Sequence, residues 1–430
     1  MNELVKKKDG DVPFIDICYG LYLFVDRLYK ILIQRKAEDV FFFAREGQLL
    51  KEMFDFYQST LVDQKKIKSH YLKVSRRSTF LLSLGSLHQE GFDVLFRQYR
   101  RISILDFLKS LDLVDSAELF AREMGLGVDA LAEVSSDLPT DKRFLKMLQL
   151  PAFQDAYESQ RLERSFAFSE YVKSLLGAAE LPTDLHVVDV GWKGSIQDNV
   201  YHWFSKEKGS GAKVHGYYVG LIAPGASTHE NTKAGLLFSS TEGRTPGFHV
   251  FNENRSLYEV ILHADHGSAR RYVFSKSTGV SVIEDEVTDA AMIAEFIRPV
   301  SRDLMVKFKK LAVAMSAAKL SDGELLKLAM SRHGRMVFNP TKKEIEWIFS
   351  VSHVENFGVF EESSFGGEEK SVSFLKKIKF TWNLVLLRRP SQLGFWPWLT
   401  IRRNAVPGMA SVYEFVRIRQ SRVNPENGAG

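Results

Sequence analysis

The sequence predicts an α/β protein: a parallel sheet flanked by helices, with a helical insertion and a mostly helical C-terminal region. Three observations predict it. Residues 39–44 (DVFFFA) and 185–190 (LHVVDV) are short apolar runs that each enter a glycine-containing turn and then a helical pattern. Residues 70–75 (HYLKVS) and 213–221 (KVHGYYVGL) have the same strand character, with helical patterns between strands that suit βαβ crossovers. The composition, 45% hydrophobic and 26% charged over 430 residues, is that of a folded globular chain rather than a disordered one. A chain this long forms two or three domains or one elaborated α/β domain, and needs no disulfide or structural metal to fold.

The elements follow in order. Residues 13–36 read as a helix; Asp16, Asp26, Arg27 and Lys30 within it break any bilayer span. After the first strand, Leu49, Leu50, Met53, Phe54 and Tyr57 share one helical face. Residues 79–180 read as helices and polar loops. A helix starts near Ile196, and residues 208–211 form a glycine-rich hinge before the next strand. Beyond residue 275 the pattern is helical, with capping boxes at Ser321/Glu324 and Thr341/Glu344. The predicted domains are a core of 13–110 and 181–275, a helical insertion of 111–180, and a helical C-terminal region of 276–423.

One cysteine, Cys18, excludes an intrachain disulfide and a cysteine-based zinc site, and suits a reducing, cytoplasmic location. Residues 1–11 are charged and lack the apolar core of a secretion signal. The net charge of +5 is local in origin. Residues 371–423 hold ten basic residues (Arg388 and Arg389 among them) against one acid, Glu414, with Trp382, Phe395, Trp396 and Trp398 interleaved. That mixture predicts peripheral contact with the cytoplasmic face of an inner membrane; the competing reading is a packed C-terminal helix with solvated arginines. No nucleic-acid-binding module is visible.

The chemistry concentrates at the two strand–turn–helix junctions. In an open α/β sheet ligands bind beyond the carboxyl ends of the strands. The first junction supplies Arg45, Glu46 and Gly47. The second supplies Asp189, Gly191, Trp192, Lys193, Gly194 and Ser195: glycines for close backbone approach, a helix N-terminus with unsatisfied N–H groups, and a lysine charge, the parts of an anion cradle. Arg76 and Arg77 stand at a third strand end. Together they predict an anionic ligand, with Asp189 suited to sugar hydroxyls or a magnesium ion. Glu259 and His263, in LYEVILHADHG, are candidates for acid/base or acceptor-binding work. Walker A, HExxH and GxSxG patterns are absent from the sequence.

The segments FFFAREGQLLKEMF, HYLKVSRRS, LHVVDVGWKGSIQDN, VHGYYVGL and LYEVILHADHGS resemble a family of bacterial polysaccharide loci. Many of its members carry a haloacid-dehalogenase-type phosphatase domain in the same chain. The shared segment resembles a phosphoribosyltransferase fold and is similar to the glycosyl-phosphoribosyltransferases of surface-glycan synthesis. The resemblance covers about residues 13–110 and 181–275. It implies transfer of 5-phosphoribofuranosyl from phosphoribosyl pyrophosphate to a free or lipid-linked sugar acceptor, in O-antigen or capsule synthesis, with Mg2+ as cofactor. A separate phosphatase would remove the 5-phosphate. It also implies roles. Arg45, Glu46 and Gly47 resemble the pyrophosphate loop. Asp189 matches the second acid of the ribose-binding strand end, and Gly194 the loop that follows it. Val188 replaces the first acid, and Lys193 stands where threonine is usual, which argues against purine or pyrimidine salvage. Arg45, Arg76, Arg77 and Lys193 would hold phosphates, and Glu46, Glu259 or His263 would take the acceptor proton. Two other readings remain: a non-catalytic phospho-ligand scaffold for a polysaccharide-assembly complex, and a phosphatase. The DxDx[TV] strand end of the haloacid-dehalogenase enzymes is missing.

Overall fold

The computed structural model describes residues 12–96, 99–225, 227–241, 244–287, 290–352, 373–386 and 393–422. The charged N-terminal stretch 1–11, Arg388, Arg389 and the tail 423–430 lie outside them. The protein is α/β. Five strands form a parallel sheet in the order β2-β1-β3-β4-β5: β1 (Asp39–Phe43), β2 (Lys68–Leu72), β3 (Asp184–Asp189), β4 (Lys213–Leu221) and β5 (Asn231–Ser239). The register sets Phe41 beside both His70 and Val187, and Asp189 beside Tyr218.

Alternation along the strands divides the core in two. Val40, Phe42, Val188, Val190, Tyr217 and Val219 face one side, where they pack with helices α1 (Ile17–Gln34) and α2 (Gly47–Ser59). Phe41, Phe43, Leu185, Val187 and Val214 face the other, against the later half of α4 (Pro151–Leu176) and against α5 (Ser195–Lys208). Between them stands the short α3 (Arg76–Ser83), opened by a capping box in which Ser75 and Ser78 bond reciprocally. A buried central strand loses its alternation of polarity, which is why DVFFF is apolar throughout.

Short helices between α3 and α4 build a separate apolar cluster spanning Leu81 to Tyr157. The predicted insertion limit at 180 is therefore corrected: Phe168, Tyr171 and Val172 of α4 cover the sheet. The predicted helical region from 276 also needs correction. An antiparallel hairpin, β6 (Ala269–Ser275) and β7 (Gly279–Glu284), spans that boundary. Its ladder explains the alternation of exposed and half-buried residues along GVSVIE. The insertion is fastened to this hairpin by one aspartate. Asp112 accepts from Arg164 (3.0 Å), Arg270 (3.3 Å) and Arg271 (3.2 Å), while Arg164 also donates to the Tyr272 carbonyl (3.0 Å).

The helical C-terminal region comprises α7 (Arg298–Ala318), α8 (Asp322–Phe338), α9 (Lys342–Ser352), α10 (Phe374–Leu386), α11 (Pro397–Asn404) and α12 (Met409–Arg422); α6 (Ser256–Ile261) precedes it. Both predicted capping boxes form: Ser321 with Glu324, and Thr341 with Glu344. Glu344 does more than cap. It accepts from the Phe14 amide (3.1 Å) and from Arg335 (2.7 Å), joining the residues before α1 to helices α8 and α9. The aromatic reading of 371–423 divides. Trp396 and Trp398 are core residues, 0% and 5% exposed, with Trp396 Nε1 donating to the Val337 carbonyl (2.9 Å). Trp382 is 65% exposed. Among the described residues, no helix is long and apolar enough to cross a membrane.

Candidate functional site

The sheet order changes direction between β1 and β3, because the chain leaves β1 for β2 on one side and returns to β3 on the other. Open α/β sheets form their ligand crevice at such a point, and both predicted junctions end there. Gly47 starts α2 hard against β1. A Cβ at this position would lie 2.9 Å from the Phe42 carbonyl carbon. Gly191 crosses the backbone of β4 at φ 145°, and a Cβ there would lie 2.2 Å from the Gly220 carbonyl oxygen. Gly194 takes φ 74° at the N-terminus of α5, with no side-chain cap on that helix. The peptide bonds 44–45 and 191–192 are both cis.

Six predicted residues from four segments are linked electrostatically. The Asp189 carboxyl is pushed up to about 8, first by burial and then by the charge of Glu46; Glu259 pushes the same way, and Arg76 opposes. Glu259 is pushed up to about 7, again by burial first and Glu46 second, opposed by its bond from Trp192 and by Arg255 and Arg76. Burial holds His263 down at about 4, helped by the charge of Arg45. Its Nδ1 donates to the Ala264 carbonyl (2.5 Å), so the basic nitrogen is Nε2. The crevice thus gathers three carboxylates and two arginines, with a neutral imidazole near Arg45.

The remaining predicted residues fall into other places. The Trp192 ring stacks on Phe238 at 5.8 Å and its Nε1 donates to Glu259 Oε1 at 2.8 Å, so it positions Glu259. Arg77 turns away toward Asp285 of the hairpin (3.8 Å). The Lys193 and Ser195 side chains are exposed at the α5 N-terminus. Three residues outside the predicted set belong to the surroundings. Tyr71 donates to the Arg45 carbonyl (3.2 Å) and is 2.7 Å from His266 Nε2. Lys233, fully buried, pairs with Asp198 (2.7 Å) and donates to the Lys193 carbonyl (3.3 Å), bracing the turn from below. Arg255 lies over the Trp192 ring at 5.8 Å. Only Tyr71 and His266 stood in segments the motifs had already singled out.

Beside the crevice a groove of about 590 Å³ runs between α2 and α7. His263 stands in its wall, with Gln48, Glu52, Arg298, Arg302 and Met305. Its polar and apolar surfaces suit a ligand with both hydroxyls and hydrocarbon faces.

Carboxyl groups are hard oxygen donors, and a divalent cation would draw the protons from Asp189 and Glu259. Among the described residues no group of three converges on a point that could hold a metal ion. The set fits a magnesium ion that arrives with a diphosphate and uses one or two protein carboxylates, and does not fit a cage made of protein alone. No protein-family model matches the chain, and no curated protein matches it.

Proposed function

We propose that the protein is a glycosyl-phosphoribosyltransferase. It transfers 5-phosphoribofuranosyl from phosphoribosyl pyrophosphate to a sugar acceptor, in the synthesis of a surface polysaccharide. The observation that carries this reading is that Glu46 and Arg76 act electrostatically on both Asp189 and Glu259 at the β1/β3 switch point, with Arg45 acting on His263 beside them. Arginines there suit a diphosphate, and carboxylates suit ribose hydroxyls and a developing positive charge.

In this mechanism the bond from C1 of the ribose to the pyrophosphate oxygen breaks, and C1 bonds to the acceptor hydroxyl oxygen. The electron pair leaves with pyrophosphate, and the acceptor proton passes to a carboxylate. Glu259 is our choice of base. Its carboxyl, at about 7, is matched to neutral pH, and Trp192 fixes its orientation. Arg45 and Arg76 hold the leaving pyrophosphate. The N–H groups at the uncapped start of α5 hold the 5-phosphate, with Lys193 at their rim. Asp189 holds the ribose hydroxyls and, on giving up its proton, would hold magnesium, which would neutralise the diphosphate charge. The groove containing His263 takes the acceptor. The product keeps its 5-phosphate, so a separate phosphatase must follow.

The test is calorimetric titration of the protein with magnesium and phosphoribosyl pyrophosphate. Binding should weaken at least tenfold in Arg76→Ala and Asp189→Asn. No heat with the wild type, or equal affinity in both variants, would overturn the assignment.

A further inference from the structure

Helix α10 reads FLKKIKFTWNLVL and carries two apolar faces. Phe380 and Leu384 face inward and pack on Leu393, Ile401 and Ala405, while the Thr381 hydroxyl accepts from the Val406 amide (3.0 Å). At about 100° per residue, Phe374, Leu375, Ile378, Trp382 and Val385 fall within one arc of about 100° on the outer side. They are 63%, 76%, 43%, 65% and 56% exposed. A helix already seated by one apolar face gains nothing within its own fold from a second, and a contiguous exposed patch of this kind is a contact surface.

Charge decides what the surface meets. Helix α10 holds Lys376, Lys377 and Lys379 and no acid. Helices α11 and α12, in the same C-terminal cluster, add Arg402, Arg403, Arg419 and Arg422 against Glu414, while Arg417 turns inward to Glu253 and Tyr413. On α12, Val412, Phe415 and Val416 are also exposed. Lysine, exposed tryptophan and aliphatic residues on one helix are complementary to an anionic bilayer surface, where headgroups meet the basic side chains and the apolar face enters the acyl boundary.

We propose that the outer face of α10 is the membrane-docking surface of this protein, lying in the plane of an anionic phospholipid leaflet with Trp382 at the headgroup boundary. The buried pair Trp396 and Trp398 has no part in it. This surface is separate from the transfer site and does not depend on the transferase reading.

Trp382 is the one exposed residue among the six tryptophans, and so reports on its own contact. The experiment is flotation of the full chain with vesicles of phosphatidylcholine alone and of phosphatidylcholine mixed with phosphatidylglycerol. It is paired with quenching of tryptophan fluorescence by brominated acyl chains. The expected result is binding to the mixed vesicles only, weakened at least tenfold by high salt and by Lys377→Glu with Lys379→Glu, the two lysines that flank the apolar arc. Quenching should vanish in Trp382→Phe, which keeps the ring and the fold. Leu375→Ser, at a solvent-facing position, should weaken binding with unchanged thermal stability. Three results would overturn the proposal: no binding to the mixed vesicles, binding indifferent to the lysine reversals, or sedimentation as a dimer that Ile378→Glu converts to monomer, which would make a second copy the occupant.

Discussion

At the scale of single residues, the crevice is defined by carboxyls that resist ionisation. Asp189 and Glu259 titrate at about 8 and about 7 because they are buried and share the field of Glu46. Both lie above the ordinary carboxylate range. The stability they allow is complete below that ordinary range and is lost as pH rises through the folded values. The urea midpoint of the ligand-free protein should therefore fall between about pH 4 and pH 8, and Asp189→Asn should flatten part of that fall. A wild-type midpoint constant over this interval, or the same slope in the variant, would contradict the assignment. Trp192→Phe tests the base. Phenylalanine keeps the stacking on Phe238 and removes the N–H bond that pulls the Glu259 carboxyl down. The acidic limb of the rate–pH profile should move to higher pH, and an unmoved limb would take Glu259 out of the proton transfer. Arg45, Glu46 and Asp189 were legible because they stand in glycine turns that end apolar strands. Arg76 was separable from Arg77 only in three dimensions, where one faces the acids and the other faces Asp285.

At the scale of elements, the central strands were the legible ones. DVFFF, LHVVD and KVHGYYVGL are buried on both faces, and burial writes itself into the sequence as continuous apolarity. β2 is an edge strand with half-exposed side chains, so its hydrophobic signal was displaced to residues 70–75 from its actual 68–72. β5, the other edge, begins NTKAG and carries no strand signal until Leu236; its identity comes from pairing with β4. Lys233 was invisible for the same reason, since its role depends on that pairing. The junction glycines give a paired test. Gly191→Ala adds a Cβ 2.2 Å from the Gly220 carbonyl oxygen at φ 145°, while Gly177→Ala, just after α4, adds one into open space at φ 63° and ψ 31°. The first should cost about 3 kcal/mol or more, and the second about 1 kcal/mol, by urea denaturation. Equal costs would show that the turn after β3 can shift to accommodate a side chain.

At the scale of the whole molecule, the sheet, the insertion and the C-terminal helices are joined by a few buried charges. Asp112 neutralises part of an arginine cluster, and Glu253 ties the loop before α6 to the C-terminal region by accepting from the Trp398 amide (2.8 Å) and the Tyr413 hydroxyl (2.9 Å). No local pattern announces such links, because their partners are far apart in the chain. Asp112→Ala would leave Arg164 buried beside two further arginines, at a cost of about 3 kcal/mol. The insertion has its own apolar cluster, so it should undock rather than unfold. Hydrogen exchange should quicken along β6 and β7 while the cluster from Leu81 to Tyr157 stays protected. Uniform loss of protection would show one cooperative unit instead. The basic C-terminal segment shows how far composition reaches: its charge pointed to a surface, but the fold decided which tryptophans could reach one. The most direct test of the central claim is phosphorus NMR of the protein with magnesium, phosphoribosyl pyrophosphate and a panel of synthetic glycan acceptors. The account predicts pyrophosphate and a new sugar phosphomonoester, formed together and only when an acceptor is present. Donor resonances that neither shift on titration nor convert with any acceptor, or release of inorganic phosphate, would contradict it.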